Sequence, residues 1–215
     1  MNKITFAVPK GRILKELLPL LQKAGITIEE EFFDSKSRKL IFNTSLSNFK
    51  IIRVRAFDVA TFVAFGAAQV GVAGDDVLNE FNYEEIYSIL DLKIGKCKLA
   101  LAKQKNNLDF QEKKLGNITI ATKYKNTVTD YFALKGIRAE CIKLNGAIEL
   151  APKLGMCKYI VDLVSSGKTL KENDLVEQET LMKISAKLIA NKVAFKMMNE
   201  EIKAVIKKIE GVKVE

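Results

Sequence analysis

Short apolar runs of strand length alternate along this sequence with amphipathic stretches of helix length, and that alternation narrows the fold to the α/β class before any motif is considered. Ile4 to Val8, Lys39 to Asn43, Phe49 to Val54 and Val70 to Ala73 read as strands. Between the first two, Leu14, Leu17, Leu18 and Leu21 fall on one face at helical spacing, predicting a helix over Ile13 to Ala24 that Gly25 ends by adopting the left-handed conformation. Pro19 inside that stretch predicts a kink or a late helix start. The pattern restarts near residue 90. Ile86 to Leu92 and Lys98 to Ala102 read as strands, Lys103 to Gly116 as a polar loop, and Ile118 to Ala121 as a strand. A helix from about Thr127 to Lys135, capped by Gly136, leads to a strand over Ala139 to Leu144, a short helix near Glu149 and a strand over Tyr159 to Val164. From Lys183 to Glu210 the apolar residues Ile184, Leu188, Ile189, Phe195, Met198, Ile202, Val205, Ile206 and Ile209 keep a largely helical period. Phe195, Met197 and Met198 fit either core packing or contact with a partner.

Composition removes several kinds of chemistry. The 215 residues include no histidine, which excludes imidazole triads, proton shuttles and histidine-bound zinc. The three cysteines, Cys97, Cys141 and Cys157, lie far apart without metal-ligand spacing, as expected of reduced, partly buried thiols. Acids, lysines, arginines, hydroxyls and backbone amides remain, and these suit the binding of phosphates, often with magnesium. A net charge of +9 favours an anionic partner, yet no basic block interleaved with aromatics and no nucleic-acid motif accompanies it. The N-terminal apolar run is too short for a signal peptide, and no later segment reaches the ~18 consecutive apolar residues of a membrane span, so a cytoplasmic, membrane-free protein is expected.

Three segments carry candidate chemistry. Tyr159-Ile160-Val161-Asp162-Leu163-Val164-Ser165-Ser166-Gly167-Lys168-Thr169-Leu170 is a buried strand delivering an acid into a small-residue loop. Such a loop can cradle phosphate: Gly167 admits close backbone approach, Ser165, Ser166 and Thr169 supply hydroxyls, and consecutive amides can form an anion nest. Asp162 can accept hydrogen bonds from a sugar hydroxyl or help place a metal. The same pattern also describes an ordinary turn capped by an aspartate. Pro9-Lys10-Gly11-Arg12 follows the first strand directly, where ligands bind in open α/β sheets. Lys10 there suits a pyrophosphate, and Arg12 suits either a phosphate or a neighbouring carboxylate. Arg53-Val54-Arg55-Ala56-Phe57-Asp58-Val59 places Arg53 and Arg55 on one strand face, with Asp58 as a natural helix N-cap. It leads to Val70-Gly71-Val72-Ala73-Gly74-Asp75-Asp76, whose acids can meet purine or ribose donors or form only a turn.

These segments, together with Ile120-Ala121-Thr122-Lys123-Tyr124 and Gly146-Ala147-Ile148-Glu149-Leu150-Ala151-Pro152, resemble the ATP phosphoribosyltransferase family, in order over nearly the whole chain. The resemblance implies a two-lobed, type II periplasmic-binding-protein-like fold with the active site in the inter-lobe cleft. Lobe one would comprise residues 1–90 with 179–215, and lobe two, residues 91–178, would bind the phosphoribosyl donor. It implies transfer of 5-phosphoribosyl from 5-phosphoribosyl 1-pyrophosphate to N1 of ATP, giving N1-(5-phosphoribosyl)-ATP and pyrophosphate in the first step of histidine biosynthesis. Lys10 and Arg55 become the catalytic cations, with magnesium held mainly by the substrate phosphates and no metal site on the protein. Gly11, Arg12, Arg38, Gly74, Asp75, Asp76, Glu149, Asp162, Ser165, Ser166, Gly167, Lys168 and Thr169 become substrate-binding residues. Arg38 enters through Ser37-Arg38-Lys39-Leu40 before a strand. Where the family carries an acid before the donor strand, this chain has Lys158 in Gly155-Met156-Cys157-Lys158, and Ser166 stands where threonine is common. A chain ending at Glu215 leaves no room for the C-terminal regulatory domain of long-form members. The resemblance therefore implies the short form: a homodimer alone, and a hetero-oligomer with a regulatory subunit resembling histidyl-tRNA synthetase. A non-catalytic two-lobed receptor would share the fold, but the phosphate-directed loop and the absence of an export signal argue against it.

Overall fold

In a computed structural model, which describes residues 3–105 and 117–212, the apolar runs become eleven strands shared between two sheets. They are β1 (Ile4–Pro9), β2 (Ile41–Asn43), β3 (Phe49–Val54), β4 (Val70–Gly74), β5 (Ile86–Asp91), β6 (Cys97–Gln104), β7 (Asn117–Thr122), β8 (Arg138–Lys143), β9 (Tyr159–Val164), β10 (Leu175–Ile184) and β11 (Ala186–Asn191). The helices are α1 (Arg12–Lys23), α2 (Ala56–Ala64), α3 (Asp75–Phe81), α4 (Lys125–Ala133), α5 (Leu150–Lys153), α6 (Lys168–Glu172), α7 (Lys192–Met197) and α8 (Asn199–Glu210). The chain divides into two compact units, Met1–Gly95 with Ser185–Glu215, and Lys96–Ile184.

The first unit is built on a six-stranded sheet in the order β2-β3-β1-β4-β11-β5. β1 runs parallel to β3 and β4, while β2, β11 and β5 are antiparallel to their neighbours. Alternation along β1 sorts its side chains between two cores. Ile4, Phe6 and Val8 join Leu17, Leu21, Phe32, Phe42, Ile202 and Ile206 on the side covered by α1 and α8. Ala7 faces the other way, with Val59, Val63 and Ile189, under α2. The second unit has a five-stranded sheet, β10-β6-β9-β7-β8, in which β7, β8 and β9 are parallel and β6 is antiparallel to both β9 and β10. Its core gathers Ala100, Ala102, Ala121, Ile148, Cys157, Ile160 and Leu170. All three cysteines are free thiols.

Several elements differ from the sequence reading, each for a local reason. α1 begins at Arg12 and runs through Pro19, with no late start. The proline lies on the exposed face, where the carbonyl it leaves without an amide partner meets water, while Leu17, Leu20 and Leu21 bury the opposite face. Asp58 is not the cap of α2; the helix starts directly from β3 with Arg55 at the cap position, so Asp58 falls in the first turn. Lys39 and Leu40 lie outside the short β2. The helical reading of Lys183 to Glu210 holds only from Lys192 onward, because Ala186–Asn191 is the strand β11, inserted between β4 and β5. A strand buried on both faces carries no alternation, so period alone cannot separate it from a buried helix. β10 is an irregular edge strand of mixed polarity and gave no apolar run to read. The predicted polar loop loses Lys103 and Gln104 to β6, and residues 106–116 lie outside the described part. Phe195 and Met198 pack on the core, whereas Met197 is 77% exposed.

Candidate active site

Because β1, β3 and β4 are parallel, the segments that follow them emerge on one edge of the first sheet. The amide of Lys10 donates to the Val54 carbonyl at 2.9 Å, which seats Lys10 beside the end of β3, where Arg55 leaves the strand. Gly11 follows at φ 97°, ψ −144°, a backbone conformation open essentially only to glycine, and this sharp turn starts α1. Arg38 reaches the same edge from the antiparallel side, since it precedes β2 and the Arg53 amide donates to the Leu40 carbonyl at 3.2 Å. Lys10, Arg38 and Arg55 are all exposed, and among the described residues their side chains make no hydrogen bond or ion pair.

Other cations of this edge are already engaged. Arg12 donates to the Gly95 carbonyl at 2.9 Å and approaches Glu16 at 4.0 Å, while Glu16 accepts the Gly95 amide at 2.8 Å. Arg53 donates to the Phe32 carbonyl at 2.7 Å, with its guanidinium 5.0 Å from the Phe32 ring and 5.3 Å from that of Phe42. Lys39 is held by Glu29 at 2.7 Å and Glu31 at 3.0 Å, which raises its pKa and lowers that of Glu29, while the Ser37 hydroxyl and then Lys39 lower that of Glu31.

Gly74, Asp75 and Asp76 arrive on this edge at the end of β4, and there Asp75 is tied into the fold. Asp75 exchanges backbone bonds with Ser185: its amide donates to the Ser185 carbonyl at 3.0 Å, and its carboxylate accepts the Ser185 amide at 2.9 Å. Lys187 then bridges Asp75 at 3.5 Å and Asp91 at 2.9 Å. The Ser185 hydroxyl bond, with Lys187 behind it, outweighs burial and pulls the Asp91 carboxyl down to about 2. Gly74 and Asp76 are buried.

The second sheet presents a corresponding edge. β7, β8 and β9 are parallel, so Lys123-Tyr124, the turn leading to Glu149, and the loop after Val164 emerge together. Asp162 lies near the end of β9, half-buried, with its carboxylate accepting the Leu163 amide at 2.8 Å. Ser165 and Ser166 are exposed, Gly167 turns the chain at φ 74°, and α6 begins at Lys168, whose amide donates to the Ser166 hydroxyl at 3.4 Å. Leu170, buried beneath, anchors the turn, while Thr169 faces out and Lys168 lies 3.8 Å from Glu172. Glu149 is half-buried at the start of α5 on the same edge. Lys158 precedes β9, and a six-residue strand places it ~20 Å from the Ser165 loop, at the opposite edge. The one departure from the family pattern that changes charge therefore lies away from the candidate donor loop.

Sequence reasoning gave no role to Thr122. It is fully buried at the end of β7, donates its hydroxyl to the Val161 carbonyl at 2.8 Å and accepts the Tyr124 amide at 3.0 Å. The only sequence signal was a hydroxyl residue closing an apolar strand. Among the described residues, no three acids or cysteines converge to hold a metal ion, and no helix is long and apolar enough to cross a membrane.

Comparison with known proteins identifies the family. Residues 55–211 match the family model described as HisG: ATP phosphoribosyltransferase. The ATP phosphoribosyltransferase of Sphingopyxis alaskensis is 54% identical over 95% of this chain and 92% of its own length. Among solved structures, a chain of the ATP phosphoribosyl transferase (HisG:HisZ) complex from Thermotoga maritima superposes with a TM-score of 0.82 at 28% identity, covering 97% of both chains. The periplasmic VFT2 domain of Bordetella pertussis BvgS gives 0.62 at 13% identity, over 98% of this chain and 88% of that one, a likeness of fold alone. With the family model spanning most of the sequence and the identity sustained from end to end, the chain belongs to the ATP phosphoribosyltransferase family.

Proposed function

We propose that the chain transfers the 5-phosphoribosyl group of 5-phosphoribosyl 1-pyrophosphate to N1 of ATP, in the cytoplasm, releasing pyrophosphate. The observation that carries the residue assignment is the contrast on the first unit's edge: Lys10, Arg38 and Arg55 stand exposed and unengaged where Arg12, Arg53 and Lys39 are consumed by the fold. Three unengaged cations on one strand edge suit the phosphates of ATP and the departing pyrophosphate. The Asp162 to Thr169 segment takes the ribose and 5-phosphate, with Glu149 on the same edge. Arg12 and Asp75 also shape the edge through Gly95 and Ser185, and Gly74 and Asp76 line the same strand end on the nucleotide side.

Adenine N1 attacks the anomeric carbon with its own lone pair, and the carbon–oxygen bond to pyrophosphate breaks with both electrons leaving on oxygen. No general base is needed for the attack, in keeping with a chain that has no histidine. Magnesium would be carried by the substrate phosphates, with Lys10 and Arg55 supplying the protein's share of charge for the leaving group. The similarity to a chain found in a HisG:HisZ complex supports a hetero-oligomer with a HisZ-like subunit, and that subunit's resemblance to histidyl-tRNA synthetase and the homodimer of the chain alone complete this reading.

The test is turnover of ATP and 5-phosphoribosyl 1-pyrophosphate with magnesium and pyrophosphatase, following the product by absorbance and mass, with the regulatory subunit added if the chain alone is silent. Arg55→Ala and Lys10→Ala should each lower kcat by about a hundredfold, the scale of losing one preorganised charge partner in a transition state. Folded variants that keep near-normal turnover would remove the leaving-group role from these residues.

A further inference from the structure

We infer that Thr122 is the positioning residue of the phosphoribosyl-donor edge: its side chain and backbone tie together the three segments that carry that edge. This rests on the reading of Asp162 to Thr169 as the donor site.

The geometry is a three-way junction. Pairing of β7 with β9 ends at Thr122↔Val161, one residue before Asp162. Beyond that point β9 is paired only with β6, through Ala100↔Asp162, Leu99↔Leu163 and Lys98↔Val164. The bond from the Thr122 hydroxyl to the Val161 carbonyl falls where the β7–β9 pairing ends, beside the acid and its loop. The same oxygen accepts the Tyr124 amide at the cap of α4, and the Thr122 carbonyl accepts the Leu144 amide at 3.0 Å, where β8 leads off toward Glu149. A hydroxyl has one proton to donate and lone pairs to accept, and here both capacities are used. At 0% exposure, water cannot replace either partner.

Valine has the shape of threonine without its hydrogen bonds. In Thr122→Val the Val161 carbonyl and the Tyr124 amide each lose the threonine oxygen as a partner, which loosens the ends of β7 and β9 at the residue next to Asp162. Displacement of groups that must meet the ribose and 5-phosphate within tenths of an ångström weakens donor binding on the order of tenfold or more. ATP, handled by Lys10, Arg38 and Arg55 of the first unit's sheet, should bind within about twofold of wild type, because Thr122 belongs to the other compact unit and its bonds are made there.

The experiment is calorimetric titration of the whole chain with 5-phosphoribosyl 1-pyrophosphate and, separately, with ATP, for wild type, Thr122→Val and Thr122→Ser. The expected result is donor affinity lost in Thr122→Val, kept in Thr122→Ser, and ATP affinity kept in both. Equal donor affinity in wild type and Thr122→Val overturns the inference, as does equal loss for donor and ATP, which marks general destabilisation. If Thr122→Val does not fold, Thr122→Ser decides: a folded serine variant with weakened donor binding shows that the methyl group, not the hydroxyl, was required. A wild-type chain that binds ATP but no donor, with the regulatory subunit present, overturns the donor-site reading itself and is distinct from all these outcomes.

Discussion

Replacing Gly71 by alanine tests how tightly the first unit is built beneath its cationic edge. Gly71 lies in the middle of β4, paired with Ala7 of β1 and Ile189 of β11, and α2 crosses directly above it. A Cβ at this position would lie 2.9 Å from Val63 Cγ2, 3.0 Å from Val59 Cγ1 and 3.1 Å from the Ala7 carbonyl oxygen. The valine methyls can withdraw only by moving α2, and the carbonyl belongs to the neighbouring strand. Overpacking a well-packed core costs ~1–3 kcal/mol, and with two rigid neighbours the upper half of that range, ~2–3 kcal/mol, applies here. At ~2–4 °C per kcal/mol for a chain of this size, the melting temperature should fall by about 4–12 °C. Thermal and urea unfolding of Gly71→Ala would measure the loss. Adding Val63→Ala removes the nearest methyl but leaves the carbonyl, so the double variant should be less destabilised than the sum of the singles by about 1 kcal/mol. A Gly71→Ala protein within about 0.5 kcal/mol of wild type would refute the reasoning, because it would mean that α2 rides on β4 with slack.

Two further outcomes follow from the titrating groups. The Asp91 carboxyl is lowered from 3.8 to about 2 by the Ser185 hydroxyl and Lys187, so its contribution to stability is complete above about pH 4 and is lost as pH falls toward 2. Asp91→Asn should flatten the dependence of the urea midpoint on pH in that window; an unchanged slope would show that the carboxylate is not coupled to folding. Cys157 is buried, its thiol donates to the Tyr159 carbonyl, and burial pushes its pKa up, so iodoacetamide should modify Cys97 and Cys141 first. Peptide mapping over time reads the order, and early labelling of Cys157 would contradict it.

The fold was legible wherever strand and helix differ in period. β1, β4 and β9 could be read because each is a compact apolar run closed by glycine, proline or a polar loop. β11 could not, because it is buried on both faces and its Leu188-Ile189 pair fits a helix equally well. β10 was hidden for the opposite reason, since an edge strand with Glu177, Gln178 and Glu179 in a row looks like a loop. Asp58 shows a further limit: a good capping residue does not cap when the helix begins two residues earlier.

For the site, a residue that follows a parallel strand, or precedes an antiparallel one, lands on the C-terminal edge of the sheet, and this rule sorts the sequence candidates. Lys10, Arg55 and Asp75 follow β1, β3 and β4, and Ser165 follows β9, so reading each strand's end was enough to place them. Arg38 precedes a strand, which would have put it on the wrong edge if β2 were parallel; β2 is antiparallel to β3, so Arg38 joins Arg55. Lys158 also precedes a strand, but β9 is parallel to β7, so it falls on the edge opposite the Ser165 loop. Strand direction is set by the connections and partners of the whole sheet, and no local pattern encodes it. Availability is decided in the same non-local way. Lys10 and Arg12 are two residues apart, yet Arg12 donates to the carbonyl of Gly95, whereas the Lys10 side chain makes no hydrogen bond or ion pair among the described residues.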